Sequence, residues 1–280
     1  MKKLNVLILS LKITVLAVAV VFIYSCEKVI EIDIKDAEIQ TVVEAYVNST
    51  QGDNLVILSK SANFYEANQF PMIKGASVII STTEGNFKLN EIEDGIYQHS
   101  ELGELSNSNY TLTINIDGRV ISSESKMPDL VPIDSISYVK NTDDSMGGGP
   151  NDEGEEEYYK LYVHFHDPAN ILNYYKIRVN SLYYQYTETF IVNDALFDGR
   201  DAKLLLQTAY AGDTVVVDLI SIDKQNYEYF RLIEANDMGA FTTSIGNPVS
   251  NVLGENVIGV FGANAISTGA VIIPGNIPMY

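Results

Sequence analysis

Few residues in this 280-residue chain have a type and spacing suited to chemistry, and Cys26 is the first of them. It is the sole cysteine, and it follows Ser25 at the end of an apolar run from Ile13 to Tyr24. A lone cysteine forms no intrachain disulfide. Its thiol can take a diacylglycerol through a thioether, and cleavage before it frees an amine for a further acyl chain. Each buried methylene is worth about 0.8 kcal/mol, so two or three chains anchor stably where one does not. No cofactor beyond these covalent lipids is expected.

His164 and His166 are two apart in a β-type run, so they share a face. Such a pair can ligate a metal, and Asp167 follows it. A zinc site needs a third or fourth ligand, and none is marked by spacing. A structural or partly exposed pair is the better reading, and no metal site is assigned. Tyr183, Tyr184 and Tyr186 fall in one predicted strand, with Tyr174 and Tyr175 in the strand before it. Tyr184 and Tyr186 would share a face with Leu182. Stacked tyrosines bind sugars or peptides, and they also serve as ordinary cross-strand packing. These three are the candidate ligand or partner contacts, together with the Gly/Asn-rich stretch from Thr242 to Asn256.

Residues 141–157 combine Gly147-Gly148-Gly149-Pro150 with Asp143, Asp144, Asp152, Glu153, Glu155, Glu156 and Glu157. Hard cations want several carboxylates. The spacing does not follow Asp-x-Asp-x-Asp-Gly, and a solvated acidic loop is the better reading. No Gly-x-Ser-x-Gly elbow, phosphate-binding loop or His-Glu-x-x-His occurs. No catalytic residue is named. A carboxylate pair for glycoside hydrolysis needs no local motif, so a hydrolase stays as the less favoured rival.

The elements that would position these residues begin after a leader. Lys2 and Lys3, the apolar run and Ser25 make residues 1–25 a signal peptide. The run is shorter than the roughly 20 residues a membrane-spanning helix needs. Ile23 to Cys26 looks like a lipobox, with Tyr24 bulkier than usual, and residues 26–38 read as a lipidated tether. The whole chain has a formal net charge of −19, and the leader removes three lysines and no acid. Such a chain repels nucleic acid and anionic headgroups.

Between residues 39 and 126, seven short β-type runs alternate with turn signals. Leu112, Ile114 and Ile116 alternate strictly with polar residues, and Asp117-Gly118 supplies a hairpin turn. That count predicts a β-sandwich of immunoglobulin or transthyretin type. Prolines at 128 and 132 mark a boundary. Residues 133–280 read as a second antiparallel β domain. It carries one packed helix near 223–236, capped by Asp223. Its predicted strands include Leu182–Val192, Val257–Phe261 and Ala270–Ile273. The fold class is mainly β.

The order of segments resembles a family of Bacteroidota surface lipoproteins, domain of unknown function 4249. The resemblance runs from Cys26-Glu-Lys-Val-Ile-Glu-Ile-Asp33 through Val42-Val-Glu-Ala-Tyr-Val47, Gly75-Ala-Ser-Val-Ile-Ile80, Gly95-Ile-Tyr97 and the Tyr110–Gly118 hairpin. It continues through His166-Asp-Pro-Ala-Asn170, Tyr174-Tyr175, Tyr227-Glu-Tyr-Phe230 and Gly259-Val-Phe-Gly262. The resemblance implies an outer-membrane, lipid-anchored protein facing the cell exterior. It also implies work beside a TonB-dependent transporter, as a non-catalytic accessory in nutrient capture or uptake. It carries over no catalytic residues. An extracellular structural or adhesive lipoprotein is the alternative.

Overall fold

This computed structural model describes residues 38–50, 54–62, 70–100, 102, 108–141, 158–238 and 246–275. Cys26 and residues 142–157 of the acidic loop lie outside them. Eight strands precede the segment 127–132: β1 (Thr41–Asn48), β2 (Asn54–Lys60), β3 (Ser77–Thr82), β4 (Gly85–Lys88), β5 (Asn90–Glu93), β6 (Ile96–Gln98), β7 (Asn109–Ile116) and β8 (Arg119–Lys126). Six follow it: β9 (Ser135–Lys140), β10 (Tyr158–His166), β11 (Tyr174–Ser181), β12 (Thr187–Asn193), β13 (Asp201–Tyr210) and β14 (Thr214–Ile222). Helix α1 (Lys224–Met238), β15 (Val252–Leu253) and β16 (Val257–Ile272) complete the described chain, which is mainly β as expected.

Local chemistry sets the strands. In β7, Tyr110, Leu112, Ile114 and Ile116 are buried, while the residues between them face outward. Asp117 and Gly118 both have positive φ, 50° and 82°, which matches the twist of the β7–β8 hairpin. Leu89 alone separates β4 from β5. Leu89 is buried and donates its N–H to Val78 O at 2.9 Å, and the chain passes there from one sheet to another.

Among the described residues, three sheets result. The largest has eight strands in the order β12-β11-β14-β16-β1-β2-β6-β5. A five-stranded sheet, β15-β8-β7-β3-β4, shares one apolar core with its β1–β2 end, through Val43, Val56, Leu58, Val78, Ile80, Leu112 and Ile114. A three-stranded sheet, β13-β10-β9, shares a second core with its β11–β14 end, through Leu161, Val163, Phe165, Tyr175, Ile177, Val217 and Leu219. Met127 belongs to the first core and Val131 to the second, so the apolar interior changes hands within 127–132.

The two regions are nevertheless not divided in chain order at that segment. The expected strands Val257–Phe261 and Ala270–Ile273 are one continuous strand, β16. Its residues Val257–Asn264 pair in parallel with β1, and Ala265–Ile272 pair antiparallel with β14. Val252, Phe261, Ala263 and Ala265 therefore close the first core from the far end of the chain. A parallel pair always needs a long connection, and local periodicity carries no sign of it.

Each half of β16 has one strand-paired edge, and side chains meet backbone groups of Phe261, Ala263 and Ile266 on the other. Asn251 accepts the Phe261 N–H at 2.9 Å and donates to Phe261 O at 2.7 Å. Asn226 donates to the same carbonyl at 3.1 Å. Ser125 Oγ accepts the Ala263 N–H at 2.9 Å and donates to Asp223 at 2.5 Å. In the other half, Ser49 Oγ accepts the Ile266 N–H at 2.9 Å. Asp223 also accepts the Asn226 N–H at 2.8 Å, which is the predicted N-cap. Helix α1 then lies half-buried on the large sheet, with Tyr227 against Tyr174 at 4.7 Å between ring centroids and Phe230 against Tyr46 of β1 at 6.4 Å. It thus touches strands of both regions.

Gly259 is the tightest point of the β1–β16 pair. Its φ is +144°, and a Cβ there would stand 1.9 Å from Val43 O. Gly259→Ala is expected to destabilise the fold by about 3 kcal/mol or more. Gly246→Ala, where a Cβ meets nothing within 4 Å, should change stability by less than about 0.5 kcal/mol. Thermal and urea unfolding of the two variants check both values.

Candidate functional site

The strands around the second core run between two ends of different character. Tyr158 opens β10, Tyr210 closes β13, and β11 enters its turn to β12 after Ser181, all at one end. At the other, β10 gives way to Asp167, β12 to Asp194, and β13 starts at Asp201.

Tyr183, Tyr184 and Tyr186 are at the first end, but not in a strand. Residues 182–186 form the turn between β11 and β12, so the expected strand Leu182–Val192 starts only at Thr187. Two buried groups hold the turn. Ser181 Oγ donates to Asp213 Oδ2 at 2.6 Å and accepts the Tyr184 N–H at 3.1 Å. Asp213 Oδ1 accepts the Tyr183 N–H at 3.2 Å. Gln185 takes a φ of 53°, which reverses the chain. Asp213 lies 30 residues beyond Tyr183, so no local pattern reports this arrangement.

The turn brings the tyrosines to others that sequence reading did not group with them. Tyr183 meets Tyr184 edge-on at 4.9 Å, Tyr184 meets Tyr210 at 4.3 Å, and Tyr210 meets Tyr158 at 5.0 Å. The Tyr186 hydroxyl and the Gln207 side-chain amide are 2.9 Å apart. Burial, and after it the Asp213 and Glu188 charges, push the Tyr186 phenol up to about 12. It therefore stays protonated and keeps its donor near neutral pH. Tyr183 is the most open of these five tyrosines, at 42% exposure, and the other four are half-buried. Tyr174 and Tyr175 are elsewhere. Tyr175 is in the second core against Phe165, and Tyr174 is under α1.

The histidines share a face of β10, as their spacing requires, yet they have different partners. His164 Nε2 is 2.7 Å from Ser137 Oγ, and the exposed His166 Nδ1 is 2.7 Å from Asp201 Oδ1. Asp167 is fully buried instead. Of the stretch 242–256, residues 246–256 are described. Val252 and Leu253 pair with β8, and Asn251 brackets Phe261.

At the second end, Asp167 meets two aspartates that no sequence pattern singled out. One ligand atom each of Asp167, Asp194 and Asp198 lie within 4.8 Å of one another. Asp167 accepts from Tyr175 Oη at 2.5 Å, from Asn173 Nδ2 at 3.3 Å and from the Gly199 N–H at 3.1 Å. Burial pushes the Asp194 carboxyl above the usual carboxylate range, and the nearby Asp167 and Asp198 charges add to the effect.

The family model described as domain of unknown function 4249 matches residues 27–269. No curated protein matches the chain. Among solved structures, a two-domain fibronectin type III segment of chicken tenascin is similar, at 13% identity and a TM-score of 0.19, over 66% of this chain and 91% of that one. A score that low establishes no shared fold.

Asp213→Ala removes the acceptor of the buried Ser181 hydroxyl and of the Tyr183 N–H. It is expected to cost about 2 kcal/mol and to release the tyrosine turn. Urea unfolding measures the cost, and near-ultraviolet dichroism, which arises largely from tyrosine in this tryptophan-free chain, measures the release.

Proposed function

We propose a function for this chain, which belongs to the family of domain of unknown function 4249. It is a lipid-anchored outer-membrane protein that binds without catalysis, as an accessory of a TonB-dependent transporter in nutrient capture or uptake. The observation that carries the binding reading is the tyrosine end of the second core. Tyr183, Tyr184, Tyr210 and Tyr158 form an unbroken aromatic run, with Tyr183 open to solvent. Tyrosine supplies large contact area at low entropic cost, and rings already packed on one another lose less freedom on binding. The leader and Cys26 support the anchor, and the order of motifs supports the transporter as partner.

Two features support a non-catalytic reading. His164 and His166 are engaged by different neighbours, Ser137 and Asp201. Asp167 and Asp194, the buried pair of the carboxylate end, are closed to a sugar or peptide bond.

Three outcomes are expected. A clickable fatty acid should label the wild type and not Cys26→Ala, and equal labelling of both would remove the anchor. Gentle detergent extraction of the tagged chain should recover a transporter barrel in stoichiometric amount. Tyr183→Ala should lower that recovery about tenfold, the effect of losing about 1.4 kcal/mol at an interface. Repeated recovery of the chain without a barrel, where known transporter complexes survive, would favour the adhesive alternative.

A further inference from the structure

We infer that Asp167, Asp194 and Asp198 form a Ca2+ site that joins the β10–β11 loop to the β12–β13 loop. Two ligands on one Ca2+, each about 2.3–2.6 Å from the ion, are separated by at most about 5 Å. Three oxygens within 4.8 Å of one another fit on a single ion. All three are hard carboxylate donors, and no histidine or sulfur competes in the set.

The cluster alone would not suffice, because acidic groups often gather without a metal. Asp194 adds the independent observation. Its side chain is 1% exposed; Oδ2 accepts the Asn173 N–H at 2.8 Å, while Oδ1 is buried with no hydrogen-bond partner. A buried carboxylate oxygen without a donor is costly unless a cation takes its lone pair. Among the described residues, no lysine or arginine forms an ion pair with any of the three.

The surroundings suit a cation as well. Asp167 accepts from Tyr175, Asn173 and Gly199, which hold its carboxylate in place. Asp198 is exposed, and its Oδ1 accepts the Asn170 N–H at 2.8 Å, so it links the two loops and leaves an entry from solvent. Asp167 and Asn170 precede β11, whereas Asp194 and Asp198 precede β13. An ion held by both loops fixes their tips, which carry the exposed Ile171, Leu172 and Leu196.

The test uses the purified full-length chain, stripped with chelator, with Ca2+ and Tb3+ as probes. Tyr175 Oη is 2.5 Å from Asp167 Oδ1, close enough for tyrosine excitation to sensitise bound Tb3+. Millimolar Ca2+ is expected to raise Tm by about 5 °C and to displace the Tb3+ signal. Asp198→Asn and Asp194→Asn should each weaken Tb3+ binding at least tenfold and abolish the Tm rise. A variant with the acids of residues 143–157 changed to their amides should retain both. No Tm rise and no sensitised Tb3+ signal up to about 10 mM Ca2+, or a rise that persists in Asp194→Asn and Asp198→Asn, would overturn the site.

Discussion

Strand β16 bonds to β1 along one half of its length and to β14 along the other, and both cores depend on that change of partner. A buried strand must satisfy its backbone on both edges. Where β16 has β1 on one side, Asn251, Asn226 and Ser125 meet the opposite edge. Where it has β14, Ser49 takes over at Ile266. Ser125 also holds Asp223, so the residue that completes the exchange also fixes the start of α1. Asparagine and serine side chains here stand in for a missing strand, and alanine at Asn251, Ser125 or Ser49 would remove the acceptor of a β16 amide.

Much of the architecture was legible because its causes are local. Alternation in β7 and positive φ at Asp117-Gly118 need only adjacent residues, and the Asp223 cap sits within three residues of its target. Legibility stopped where distant residues decide. Tyr183 to Tyr186 read as strand because aromatic residues favour strands, yet Asp213 and Ser181 hold them in a turn. Gly, Asn and Pro in the final segment suggest two short strands, and only a pairing with β1 more than 200 residues away keeps β16 whole. Asp167, Asp194 and Asp198 come from two loops and share no motif.

The two ends of the second core show how one scaffold serves opposite chemistries. β11 has eight residues, so the ends are separated by about 25 Å. At one end, tyrosine rings pack edge-on and tilted, and a buried aspartate is consumed in holding a turn. At the other, carboxylates converge and one oxygen is left over. Phe165, Tyr175 and the β14 valines pack the interior between them, and Tyr175 belongs to both the core and the carboxylate end through its hydroxyl.

The position of β16 also bears on the order in which the chain can fold. The first core takes its strands β1 to β8 from the early part of the chain, but it is closed by Phe261, Ala263 and Ala265. A ribosome or a translocation channel that delivers the N-terminus first therefore releases β1 with one edge exposed, and that edge waits for nearly the whole polypeptide. An open apolar edge of this kind is a template for pairing with other chains. Completion of the first core in this protein is thus tied to the arrival of β16, near the far end of the described chain.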